Sequence, residues 1–259
     1  MVTEVRENFK RLTEISASLS IYFENVDCSC RRRKFSTYYL AKMVHASWAL
    51  EKLLPETHTD YLDFSSVASI CRNIIELCNL CWYFCFDEVD DSEVDFRFLL
   101  YDYHQASSFA IICDKLSLNA DDAGSVMAER QELRASVISH CVYEALAENE
   151  KEKVRKGKKD CLLNHNEIAK VRSIDVRFFE GMYKLMSVHT HSSPSSINSF
   201  LYARTHSPDM DRAFYGLAVN YASGFIAQML LDVGDMWGIE FAKSESESFV
   251  RFYAAQLYD

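Results

Sequence analysis

The stretch ASICRNIIELCNLCWYF, Ala68 to Phe84, is apolar nearly throughout, contains neither glycine nor proline, and places its polar side chains at helical intervals. Arg72, Glu76, Asn79 and Tyr83 fall at i, i+4, i+7 and i+11, which is one face of a helix. Cys71, Cys78 and Cys85 repeat every seven residues and mark an apolar stripe beside that face. A half-buried strand would alternate polar and apolar residues, and this stretch does not. It reads as a core helix buried almost all round. Arg72 and Glu76 on such a helix must pair or be hydrogen-bonded, because an isolated buried charge is very costly. Breaking an enclosed pair of this kind costs about 3–5 kcal/mol.

The flanking sequence keeps the helical period. Val5, Phe9, Leu12, Ile15, Leu19 and Tyr22 step by three and four, predicting a helix over about 2–24. The polar ENVDCSCRRR follows, then a second helix over about 35–54, stopped by Pro55. Asp63 or Ser65 can cap a third helix reaching about Phe86, and Ser92 a fourth reaching Leu116. A fifth, over about 123–150, runs into a polar basic loop near 150–163. One or two helices then end near His189. Ser207-Pro208 opens a long helix to about Trp237, and Ser244-x-x-Glu247 forms a capping box for a short last one ending at Tyr258. There is no internal repeat and no run of period two long enough for a sheet. The expectation is an all-α fold, residues 1–259 forming a single-domain bundle of about seven or eight helices.

Composition narrows the function. Of 259 residues only 7 are Gly and 3 Pro, which speaks against a turn-rich all-β architecture. The net charge of −10 disfavours RNA and anionic membranes as partners of the whole surface. RRRK at Arg31–Lys34 and KEKVRKGKK at Lys151–Lys159 are local exceptions, read as solvated segments. A charged start and the lack of an unbroken apolar run of spanning length predict neither export nor insertion, hence a cytoplasmic protein. Nine cysteines, an odd number, are then expected to be reduced. The Cys28-Ser-Cys30 and Cys78-x-x-Cys81 pairs lack partners at finger spacing, so no metal and no cofactor is expected.

A second polar stripe lies in YKLMSVHTHSSPSSI, Tyr183 to Ile197. Tyr183, Ser187 and His191 are spaced by four, whereas His189 points elsewhere. The Ser-Ser-Pro after His191 predicts that the helix ends there. Arg72, Glu76, Tyr183, Ser187 and His191 are therefore the candidate polar pocket, formed if the two stripes meet. His189, His191 and His206 make a poor metal site, since neighbours two apart on a helix point about 200° from each other.

Together the Arg-x-x-x-Glu helix and the later Tyr-x-x-Met-Ser segment leading to His resemble a family of uncharacterised helical bacterial proteins, catalogued as domain of unknown function 5677. The resemblance spans roughly the middle half of the chain and rests on Arg72, Glu76, Tyr183, Ser187 and His191. It implies an all-helical fold and brings no established activity. A weaker likeness is to compact helical ribonucleases, which carry an Arg, then four to six residues, then a His. Arg97 with His104 and Arg134 with His140 fit that spacing, but Phe98 and Ala135 follow the arginines where those enzymes usually place a polar residue. The sequence thus supports a binding or scaffolding protein for an unknown protein partner or small ligand, with a homodimer compatible. The alternative is a metal-independent endoribonuclease of toxin or defence type, using Arg72 and His191 or Arg134 and His140. No catalytic residue follows from the sequence.

Overall fold

The computed structural model describes residues 2–57, 59–117, 120–191, 193–205, 208–239 and 245–258. Among them it holds twelve α-helices and no strand: α1 Val2–Tyr22, α2 Arg31–Glu51, α3 Phe64–Cys81, α4 Asp91–Leu116, α5 Ala120–Ile138, α6 Cys141–Ala145, α7 Glu148–Arg155, α8 His165–Val171, α9 Val176–Thr190, α10 Pro194–Thr205, α11 Pro208–Trp237 and α12 Glu245–Ala255. The chain divides into two compact units, Met1–Phe86 with His165–Asp259, and Asp87–Asn164. The all-α class holds, but the expected single-domain bundle is two units and the expected seven or eight helices are twelve.

The first unit is built round α3 and α11. Along α11, Ala218, Val219, Ala222, Phe225, Ile226, Met229, Leu230 and Val233 are buried, and α3 contributes Val67, Ala68, Cys71, Ile74, Ile75 and Cys78. Both helices are therefore apolar on most of their circumference, and α1, α2, α9 and α12 cover them. The segment 210–237 is long and apolar enough to cross a membrane by composition, and 72% of its apolar window is buried inside this unit. At Gly224 a Cβ would meet Leu257 Cδ2 at 2.9 Å and the Tyr253 carbonyl oxygen at 3.2 Å, so glycine allows α12 to lie close on α11. After Cys81 the helix widens into one π-type turn, Trp82–Phe86.

In the second unit α4 and α5 pack as a hairpin round Phe96, Leu100, Tyr103, Val137, Tyr143 and Val154. Arg97 is buried there between Asp87 at 2.7 Å and Glu93 at 2.5 Å. Gly157 closes α7 with φ +66°, and a Cβ on it would collide with Ser107.

The extra helices have local causes. The span expected as one helix over about 123–150 breaks at His140, whose Nδ1 accepts from the Val142 backbone N–H at 3.2 Å and caps α6. The basic loop expected near 150–163 begins as α7, where Lys153 pairs with Glu150, Arg155 with Glu148, Lys156 with Glu152 and Lys159 with Glu150. RRRK forms the first turn of α2 rather than a linker. Ser193-Pro194 starts α10, with Ser193 Oγ accepting from Ser196 N at 3.3 Å, by the same cap-then-proline logic expected only at Ser207-Pro208. Asp63 caps α3 as expected, whereas α4 is capped by Asp90, through Glu93 N at 2.8 Å, and not by Ser92. The cap at Ser207 and the box at Ser244 fall outside the described residues.

All nine cysteines are unpaired, and Cys71, Cys78, Cys81, Cys85 and Cys113 are buried. Burial pushes the Cys78 thiol up to about 12. Iodoacetamide applied to the native protein should therefore label Cys28, Cys30 and Cys141 well ahead of the other six, among which burial also pushes the Cys161 thiol up to about 12. Denatured, non-reduced protein should give nine labels by mass. Fast native labelling of the α3 cysteines would contradict the packing described here.

Candidate functional site

Helices α3 and α9 pack side by side and share a row of polar contacts. Ser65 Oγ lies 3.4 Å from His189 Nδ1, and Ser69 Oγ donates to Thr190 Oγ1 at 3.2 Å. One turn further along α3, Arg72 Nε donates to Glu76 Oε1 at 2.9 Å and Arg72 Nη2 to the Tyr183 hydroxyl at 3.0 Å. That hydroxyl donates in turn to Glu76 Oε1 at 2.5 Å. The guanidinium also lies over the Tyr183 ring, 4.7 Å from its centroid. Arg72 Nη1 is left facing His191 Nε2 at 3.4 Å.

Four of the five expected residues thus come together. Ser187 does not join them: its hydroxyl donates to the Tyr183 carbonyl, one turn back on its own helix, at 2.7 Å. The cluster is also half-open rather than sealed, with side-chain exposures of 21% for Arg72 and 29% for Glu76. The expectation of a helix buried almost all round fails on this face, because α9 covers only part of it and ends at Thr190. His191, the residue after that end, is exposed.

Electrostatics fit the hydrogen bonds. Burial alone would lower the Arg72 pKa, but the Tyr183 hydroxyl and the Glu76 carboxylate together raise it above the ordinary value. Burial, then the Glu76 acceptor, raises the Tyr183 phenol, which stays protonated and donates. Arg72 and Glu76 leave no net charge between them. The contact to His191 is a hydrogen bond only when Nε2 is an unprotonated acceptor, since a charged ring would place two cations face to face.

His189, expected to be a bystander, is the buried histidine. It sits against the Phe64 ring at 4.7 Å, edge to face, and near Asp211. Desolvation lowers its pKa, with the Asp211 charge opposing. The upstream half of the row was legible in principle, since Ser65, Ser69, Arg72 and Glu76 follow i, i+4, i+7, i+11. A second polar cluster was not. Arg172, just after α8, is buried and donates through Nη1 to Asn79 Oδ1 at 2.7 Å, so Asn79 leaves the stripe it was read with. Around it, Asn79 Nδ2, Arg172 Nε, Tyr221 OH and Asp232 Oδ2 are buried without a protein hydrogen-bond partner. Burial raises the Asp232 carboxyl, and the Arg172 charge opposes it. No apolar period announces Arg172, which follows the end of α8.

The ribonuclease spacings do not assemble a site. Arg97 is held in its ion pairs, and His104 Nδ1 faces the Gly157 carbonyl oxygen at 3.0 Å. Arg134 is exposed, whereas His140 caps α6 with its ring against Phe96 at 5.0 Å. Among the described residues no group of three or more His, Cys, Asp or Glu could hold a metal ion, and His206 lies outside them. No family model, no curated protein and no solved structure matches this chain. What the site can do follows from its geometry alone.

Half-exposed, the Arg72 pair is worth less than an enclosed one. Arg72→Ala should lower stability in urea by about 1–3 kcal/mol, the range for one charged hydrogen-bonded group. A loss nearer 5 kcal/mol would mean that the cluster is closed in solution. The two histidines should separate: His189→Ala should cost about 1–3 kcal/mol and His191→Ala within about 0.5 kcal/mol. Because the folded His189 binds a proton less readily than the unfolded one, its contribution is lost as pH falls below about 6.5. Asp211, whose carboxyl burial raises, titrates in the opposite sense and is present in both proteins. Wild type minus His189→Gln, followed by urea midpoint from pH 7.5 to 5, should therefore shrink on acidification. A flat difference would place His189 in solvent.

Proposed function

We propose that this protein is a helical binding or scaffolding module, whose Arg72–Glu76–Tyr183–His191 cluster presents an oriented donor edge to a protein partner or small ligand. One observation carries this reading: Arg72 is locked by Glu76 and Tyr183, so that its remaining Nη1 edge points at an exposed imidazole. A fixed guanidinium edge suits a carboxylate or phosphate oxygen, which would accept from Nη1 in place of the His191 ring. Packing of Cys71, Cys78 and Cys85 as core side chains supports a reducing, cytoplasmic setting. The resemblance to the uncharacterised bacterial helical family rests on the same residues, and a homodimer is compatible with it.

The 3.4 Å approach of Arg72 to His191 keeps a second reading in view, a metal-independent endoribonuclease of toxin or defence type. There His191 would move the proton of the attacking 2′-hydroxyl or leaving oxygen, and Arg72 would hold the phosphate. Two measurements separate the readings. In an NMR titration of the histidine ring resonances, inorganic phosphate and acetate should shift His191, assigned through His191→Gln, while leaving His189 unmoved. A fluorophore–quencher RNA should stay intact at micromolar protein. Cleavage abolished by both His191→Ala and Arg72→Lys, with the fold retained, would instead establish the nuclease. If neither anion moves His191 and RNA is untouched, the cluster serves only helix register.

A further inference from the structure

A cavity of about 580 Å³ opens in the first unit, away from the Arg72 cluster, between the end of α1, the turn after it and one face of α2. On α2 the lining runs from Lys34 through Tyr38 and His45 to Trp48, about 21 Å of helix axis. Small side chains, Ala17, Ser20 and Ala41, form its floor, so the two backbones leave room for a guest rather than filling the space themselves. The size is that of a small-molecule site.

Its walls are aromatic and its turn end carries two carboxylates. Tyr38 and Trp48 are 55% and 43% exposed, large apolar surfaces left open to solvent. Phe23 and Trp237, with rings 4.7 Å apart, close the end near the turn. Glu24 and Asp27 line that same end, and neither has an ion-pair partner among the described residues. Lys34 is the one lysine of the lining, and the Arg33 guanidinium stands just outside it, against Trp237. A carboxylate without an ion partner beside an open aromatic face suits a cation. Aromatic faces here already hold cations: the Lys34 ammonium stands 5.9 Å over Tyr38 and the Arg33 guanidinium 5.5 Å over Trp237.

We infer that this groove binds a small amphiphilic organic cation. Its charged head lies at the turn end, between the Tyr38 ring and the Glu24 and Asp27 carboxylates. Its apolar body lies along the Ala17 and Ala41 floor toward Trp48. Lys34 competes for the head's position, which makes its removal a test of sign. An anionic ligand would need Lys34, whereas a cationic one is better bound without it.

The experiment follows tryptophan emission of the full chain, since two of its three tryptophans line the groove. Hexyltrimethylammonium, hexanol and hexanoate are the probes, used at submicellar concentration. Saturable binding of the ammonium should be at least about fivefold tighter than that of hexanol. Tyr38→Ala should weaken it by a similar factor, and Glu24→Gln with Asp27→Asn should weaken it further. Lys34→Ala should tighten it, with circular dichroism confirming the fold of each variant. Equal affinity for hexanol, preference for hexanoate, weaker binding in Lys34→Ala, or no saturation by the ammonium would each overturn the proposal.

Discussion

Burial of α3 against α11, α9 and α2 is the constraint on which the first unit depends. Most of α3 is apolar and finds apolar neighbours, which is favourable at roughly 25 cal/mol per Å² removed from water. That same burial obliges each polar side chain on α3 to find a partner, because an unpaired polar group there costs more than its bond returns. Arg72 and Glu76 find Tyr183, Ser69 finds Thr190, Ser65 meets His189 and Asn79 finds Arg172. The polar row therefore follows from placing this helix in a core, and it fixes the register of α9 against α3.

The two polar clusters of this unit obey different electrostatics. At the α3–α9 edge, solvent reaches Arg72 and Glu76, the donors and acceptors are matched, and α9 ends before it can cover them. Exposure and fixed geometry make that edge suited to an outside group. Round Arg172, by contrast, a buried base faces Asn79, with the buried Asp232 carboxyl close enough to feel its charge but without a direct ion pair. That arrangement lies mostly inside the unit and holds helices in place.

Charge patterning in the second unit shows why local basic runs mislead. Lys153, Arg155, Lys156 and Lys159 are met by Glu148, Glu150 and Glu152 of α7, which makes the segment a paired one instead of a cationic patch. Arg97 is likewise neutralised within its own helix and by Asp87.

What the sequence by itself determined was helical content, the identity of α3 as a core helix, and the four clustered residues among five candidates. These are local properties: period, missing breakers and i, i+4 spacing act within one helix. Short helices were lost for the same reason, because His140 caps α6 by folding its ring onto its own backbone and Ser193 opens α10 in what reads as a terminator. Only the tertiary structure decided that the chain forms two units, that Ser187 bonds its own helix, that His189 is the buried histidine, and that Arg172 takes Asn79. Each of those outcomes depends on which helix lies opposite. Helical spacing sets the direction of a side chain about its own axis, and only packing sets what stands in that direction.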